Sequence, residues 1–221
     1  MVRVKRPIIC AVIVAKDLPA VESIKPFVDL YEVRIDLIGD GWSELVKQLS
    51  KPWIACNRIA DEGGSWQKSE ASRIEELLKA TELGADIIDI ELRTKNLAET
   101  LQLIKKRAKC LVSSHQLTGT PPLSSLRGII QLQLAAGADI CKVVTTAHSL
   151  QDNLTVLQLI AEFPKSKIVS IAMGSLGCVS RILCPLVGGY FTYASIEEGK
   201  ESASGQITVR DLRKLYEMVE Q

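Results

Sequence analysis

The sequence predicts a single-domain (β/α)8 TIM barrel over residues 1–221, on three observations. Short apolar segments recur along the whole chain, each followed by an amphipathic stretch. Two joints repeat the same words, Gly84-Ala85-Asp86-Ile87 and Gly137-Ala138-Asp139-Ile140, as a helix end feeding a buried strand would. No linker, low-complexity tract or shift in composition divides the chain, and 221 residues suffice for one barrel core. An open doubly wound sheet is the alternative arrangement of the same units. No GxGxxG or phosphate loop follows its first strand, which weakens a nucleotide-binding version of it.

The first strand is read as Ile8–Val14. Arg3, Lys5 and Arg6 ahead of it give a superficial look of a leader, but the apolar run is too short to cross a membrane. Lys16-Asp17 follows where a small-residue cleavage site would stand. The second, Leu30–Asp36, alternates Glu32, Arg34 and Asp36 with Val33 and Ile35, so the three charges share one face. The third, Trp53–Arg58, ends on Arg58 and opens into the flexible acidic loop Asp61-Glu62-Gly63-Gly64. A helix through Glu70 to Ala80 follows, with Ile74, Leu77 and Leu78 on its apolar face. Strand four, Asp86–Leu92, carries Asp89 and Glu91. Cys110–His115, Asp139–Thr145, Lys167–Met173 and Tyr190–Ser195 complete the eight. Several are almost continuously apolar and rich in Ile and Val, as strands buried on both faces of a parallel sheet are. Ser195–Gly205 with Gln206 forms a polar loop after the last strand, either a lid or a plain connection.

The formal charge of +1 gives no basic excess for nucleic acid, and no segment suits a membrane. Six cysteines form no CxxC pair, and four lie in apolar strands, where they behave as small hydrophobes of a reducing compartment; the cytoplasm is expected. The two histidines make no HxH or HExxH spacing, so no metal is expected.

In a barrel of this kind the reactive groups stand at the C-terminal ends of the strands. Lys142 lies in Ile140-Cys141-Lys142-Val143-Val144, where lost hydration is expected to lower its pKa and free the amine for attack on a carbonyl. A structural ion pair inside the barrel is the alternative. His115 closes the preceding strand, at the same end as Lys142, and an imidazole there can take and return a proton. His148 lies beyond its strand, near a helix start. The charges of strands two and four can equally pair with one another. Arg181 follows the loop after strand seven, and a guanidinium suits bidentate capture of a carboxylate.

Taken in order, these motifs resemble type I 3-dehydroquinate dehydratase. They are Glu32-Val33-Arg34-Ile35-Asp36, Arg58 with Glu62-Gly63-Gly64, Asp89-Ile90-Glu91, Ser113-Ser114-His115, Lys142, Ser180-Arg181-Ile182 and Ser202-Ala203-Ser204-Gly205-Gln206-Ile207. The chain departs from the family pattern in Gln116 after the histidine, in Cys10 where a serine is usual, and in Ser204 where a proline precedes the glycine. The resemblance implies a cofactor-free hydro-lyase of the shikimate pathway, working as a homodimer on one small-molecule substrate. It implies that Lys142 forms a Schiff base with 3-dehydroquinate, that His115 moves the protons and that Glu62 orients His115. Arg181 would hold the substrate carboxylate. Glu32, Arg34, Arg58, Ser202 and Gln206 would bind hydroxyls or close over the substrate. Another Schiff-base barrel lyase of aldolase type would use the same lysine and a phosphate site after strand seven, and a non-catalytic barrel for a small acid would need no amine.

Overall fold

A computed structural model describes residues 6–219, so the reading of Met1 to Lys5 lies outside the described residues. Eight strands alternate with helices: β1 (Ile9–Ile13), α1 (Leu18–Ile24), β2 (Leu30–Arg34), α2 (Ile35–Ile38), α3 (Trp42–Val46), β3 (Trp53–Cys56), α4 (Glu70–Glu82) and β4 (Ile87–Glu91). Then come α5 (Leu97–Ile104), β5 (Lys109–His115), α6 (Leu123–Ala136), β6 (Ile140–Thr146), α7 (Gln151–Glu162), β7 (Ile168–Met173), α8 (Cys178–Leu183), β8 (Thr192–Ser195) and α9 (Val209–Val219). All ladders are parallel and run unbroken from β8 through β1 to β7. No ladder joins β7 to β8 among the described residues. There Tyr190 N–H donates to the Ile168 carbonyl at 2.7 Å, and Ser180 Oγ accepts the Ala172 N–H at 2.8 Å. One backbone bond spans the seam directly, and α8 braces it, with Ser180 on β7 and the Arg181 carbonyl accepting the Thr192 hydroxyl of β8 at 2.6 Å.

The strands are buried on both faces, which is why their sequences are apolar rather than alternating. Six of them are shorter than expected, β5 is one residue longer and β6 is shifted by one, and the reasons are local. Asp86 and Asp139, read from the sequence as strand residues, stand just before β4 and β6. Their carboxylates accept amides at the start of the preceding odd strands, Trp53 N at 3.0 Å and Cys110 N at 2.8 Å. Asp29 does the same for Ile9 N at 2.9 Å. A carboxylate replaces a missing ladder partner at three places around the N-terminal rim. At the other rim β2 stops at Arg34, and Asp36 sits in the helical turn α2 rather than on a strand face.

The apolar face of α4 is rotated from the expected one. Arg73, Leu77, Ala80 and Thr81 are buried, whereas Ile74 and Leu78 are only partly covered. Ser69 caps this helix by accepting the Ser72 N–H at 3.1 Å. Among the described residues no helix is long and apolar enough to cross a membrane.

Candidate active site

The C-terminal ends of the strands enclose a cavity of about 200 Å³, and all nine residues singled out from the sequence line it: Glu32, Arg34, Arg58, Glu62, His115, Lys142, Arg181, Ser202 and Gln206. β2 contributes Glu32 and Arg34, the chain after β3 contributes Arg58 and Glu62, and β5 and β6 contribute His115 and Lys142. Arg181 comes from α8, and Ser202 and Gln206 from the loop after β8. His148 does not line the cavity, and its backbone N–H is taken by Asp152.

Lys142 is 5 % exposed, and its Nζ lies 2.8 Å from Asp89 Oδ2 and 3.4 Å from Glu32 Oε1, with the Tyr193 ring centroid at 4.3 Å. This corrects the expectation for its charge. Burial does pull its pKa down, but Asp89 and Glu32 outweigh burial, and the pKa is raised. The free enzyme holds an ammonium here. Asp89 is held well below the usual carboxylate range, since Arg58 and Lys142 overcome its own burial. Arg58 Nη2 lies 2.8 Å from Asp89 and Nη1 2.7 Å from Glu91, while Ser113 Oγ donates to Asp89 at 2.6 Å.

The strand-end histidine faces different company. His115 Nδ1 lies 2.8 Å from Glu62 Oε2, and the same oxygen accepts the His115 backbone N–H at 3.0 Å. Burial, with Arg58 and Lys142 nearby, pushes the His115 pKa well below its ordinary value. With Glu62 ionised, the neutral ring donates to it from Nδ1, and Nε2 keeps its lone pair and has no hydrogen bond to the described residues. Burial raises Glu62 itself to about 7. The glycines after Glu62 set its position. A Cβ on Gly64 would lie 2.0 Å from the Arg58 carbonyl oxygen, so only glycine lets this turn pack under Arg58.

The three arginines differ in what they have already neutralised. Arg34 forms a fork to Asp36, with Nε and Nη2 donating at 2.9 and 2.7 Å. Arg58 is committed to Asp89 and Glu91. Arg181 has no acidic partner among the described residues; one Nη2 reaches the Ser204 carbonyl at 3.4 Å and Nε has no partner in the protein. Burial without compensation lowers its pKa to about 10. A buried guanidinium so unbalanced is chemically suited to an anion. Ser202 and Gln206 bond each other across the loop, N–H to Oε1 at 2.9 Å and Nε2–H to Oγ at 3.0 Å.

Sequence reasoning missed Tyr193, which covers Lys142, and Arg73, which is fully buried under Glu91. Both carried a signal. Tyr193 stands two residues before Ser195 on one face of β8, and Arg73 falls on the helix face shared by Leu77 and Ala80. It also missed that Glu32, Cys56 and Asp89 bring possible metal-ligating atoms within 4.8 Å of one another. Lys142 and Arg58 already occupy the two carboxylates, and burial keeps the Cys56 thiol protonated. A dication would have to displace the lysine, so the donor set does not fit a resident metal.

Comparison with known proteins gives a consistent result. The family model described as type I 3-dehydroquinase matches residues 9–221. A 3-dehydroquinate dehydratase of Dehalococcoides mccartyi is 46 % identical over 217 residues, covering 97 % of each chain. One from Methanococcus maripaludis is 38 % identical over 208 residues, covering 91 % of this chain and 92 % of that protein. Among solved structures, 3-dehydroquinate dehydratase from Geobacillus kaustophilus superposes with a TM-score of 0.86 at 26 % identity, covering 97 % of this chain and 91 % of that one.

Proposed function

The chain belongs to the type I 3-dehydroquinase family and is a hydro-lyase; on that premise we propose that it dehydrates 3-dehydroquinate to 3-dehydroshikimate through an imine on Lys142. This is the third step of aromatic amino acid biosynthesis by the shikimate route. The observation that carries the reading is one cavity lined by Lys142, by His115 with its free Nε2 edge, and by Arg181, which has no acidic partner among the described residues.

Arg181 binds the substrate carboxylate, since it is the one of the three cavity arginines without an acidic partner among the described residues. His115 Nε2 takes a proton from the Lys142 ammonium, and the freed amine forms a C–N bond to the C3 ketone carbon. A proton of the new ammonium nitrogen passes to the carbonyl oxygen, and the resulting hydroxyl leaves as water when the His115 imidazolium returns the proton taken from Lys142; the C–O bond breaks and an iminium remains. That electron sink acidifies C2. His115 removes a C2 proton, and the enamine expels the C1 hydroxyl, which His115 protonates on departure. Water then hydrolyses the product iminium and restores the lysine. Glu62 keeps the ring turned so that Nε2 serves every step. Glu32, Arg34, Arg58, Ser202 and Gln206 hold the hydroxyls or close the cavity, and Asp89 sets the charge on Lys142.

The aldolase-like alternative needs a phosphate site after β7. The backbone there is already engaged: Gly174 N–H donates to the Ser204 carbonyl and Gly177 N–H to Gly174. No metal or organic cofactor takes part in this scheme. We place the enzyme in the cytoplasm on its six free cysteines, five of them buried. The family resemblance further implies a homodimer.

The test is turnover of 3-dehydroquinate, followed by the ultraviolet absorbance of the conjugated enone product, in wild type and in His115→Ala. Wild type is expected to turn over. His115→Ala is expected to lose on the order of 10²- to 10⁴-fold while the covalent adduct accumulates. A His115→Ala protein with near-normal turnover overturns the assigned role, and an inactive wild type overturns the function.

A further inference from the structure

Behind Lys142 runs a file of alternating charges that leaves the cavity and ends at the surface. Lys142 Nζ lies 2.8 Å from Asp89, Asp89 2.8 Å from Arg58, and Arg58 2.7 Å from Glu91. The other oxygen of Glu91 receives Arg73 Nη1 at 2.5 Å, and Arg73 makes a fork to Glu70, with Nε and Nη2 both at 2.8 Å. Arg73 is wholly buried in α4 and also donates to Thr94 Oγ1 at 2.9 Å, whereas the Glu70 side chain is 36 % exposed. Arg73 does not line the cavity.

We propose that Arg73 is a positioning residue for the reaction: it holds Glu91, and through Arg58 and Asp89 it sets how readily Lys142 gives up its proton. This rests on the reading of Lys142 as the imine-forming amine. Glu91 stands between two guanidiniums, one on each oxygen. With Arg73 in place Glu91 is satisfied from both sides, and Arg58 can reach on to Asp89 and offset the attraction of that carboxylate for Lys142. Without the positive charge of Arg73 the second oxygen of Glu91 is bare, and the buried file carries one more net negative charge. A more negative surround stabilises the ammonium and raises the pH at which the free amine is available.

Groups from every packed element face Lys142: Cys10 of β1, Glu32 of β2, Cys56 of β3, Arg58 after β3, Asp89 of β4, His115 of β5 and Tyr193 of β8. Burial raises Cys10, Cys56 and Tyr193, so these stay neutral. The charges that act on Lys142 are then Glu32, Asp89 and Arg58, and Arg73 reaches the last two through Glu91. α4 therefore has a part in the chemistry as well as in packing the barrel.

The experiment measures the rate of borohydride-trapped adduct formation on 3-dehydroquinate as a function of pH, with the melting temperature of each variant. Arg73→Gln is expected to move the midpoint of the trapping profile upward by roughly one pH unit. Arg73→Lys, which restores the charge without the fork, is expected to return most of that shift. Glu70→Gln removes a negative charge and is expected to move the midpoint the other way, by only a few tenths because Glu70 is solvated. A purely structural role lowers melting temperatures and leaves the midpoints in place, and that result overturns the proposal. Should Arg73→Gln not fold, the sign of the Glu70→Gln shift decides: downward supports the proposal, and none or upward overturns it. Wild type without a trapped adduct on Lys142 overturns the imine reading and this proposal together, whereas unshifted midpoints with a normal wild-type adduct overturn this proposal alone.

Discussion

Glu62 shows how one side chain trades stability for chemistry. It is buried, its pKa is raised to about 7, and its ionised form is what accepts the His115 ring proton. A raised folded pKa means that the proton favours the fold, fully so below the ordinary value of 4.5. That contribution is lost as pH rises through about 7. Glu62→Gln is neutral at every pH, so at pH 8 it is expected to be more stable than wild type by roughly 1–3 kcal/mol, with the gap closing toward pH 5. The same substitution is expected to lower turnover, though less than His115→Ala, because it misorients the imidazole without deleting it. Wild-type turnover is expected to fall as pH drops below about 7, where Glu62 takes up its proton. Melting curves and rate profiles from pH 5 to 8 check all three outcomes. The identity of such residues was legible in the sequence, because a charged group inside an apolar strand is conspicuous. Their pairing was not. Lys142 meets Glu32 across 110 residues of chain and Asp89 across 53, and those contacts reverse the sign of the shift that burial alone implies.

The loop after β8 illustrates what a single element adds. Ser202, Ala203 and Gln206 line the cavity, and the loop is pinned from below by Gly174 N–H on the Ser204 carbonyl at 3.1 Å. The φ of +81° at Gly205 requires glycine, and a Cβ there would sit 2.2 Å from the Gly174 carbonyl oxygen, so the residue also makes a close docking contact. We propose that the loop is a lid that docks through this contact. Gly205→Ala is expected to weaken docking, raising KM several-fold and speeding protease cleavage between Glu197 and Gly205. In wild type, bound substrate or product is expected to slow that cleavage. Equal cleavage with and without ligand contradicts the lid. Element positions were legible because apolar runs mark buried strands, but their ends were not. Asp86 and Asp139 cap neighbouring strands, and Asp36 turns into α2, through hydrogen bonds that no periodicity reports.

At the scale of the whole molecule, the barrel brings together residues that the sequence keeps far apart. Eight parallel strands place their C-terminal ends around one cavity, and the register aligns Ser113 with Lys142 and Cys56 with Asp89. The (β/α)8 order could be read from the repeated strand and helix words. Closure into a barrel could be read too, but not how it is made: one backbone bond from Tyr190 to Ile168 spans the β7–β8 seam, and α8 braces it. Charge balance is likewise a property of the whole: an ammonium over two carboxylates, a file of ions behind it and one unbalanced guanidinium in front. The central claim is that this arrangement makes Lys142 the covalent nucleophile. Borohydride added during turnover of 3-dehydroquinate, followed by peptide mass analysis, tests it most directly. The account predicts irreversible inactivation and a reduced ligand adduct on the peptide containing Lys142, with no adduct in Lys142→Ala; a label on another residue, or none in an active enzyme, contradicts it.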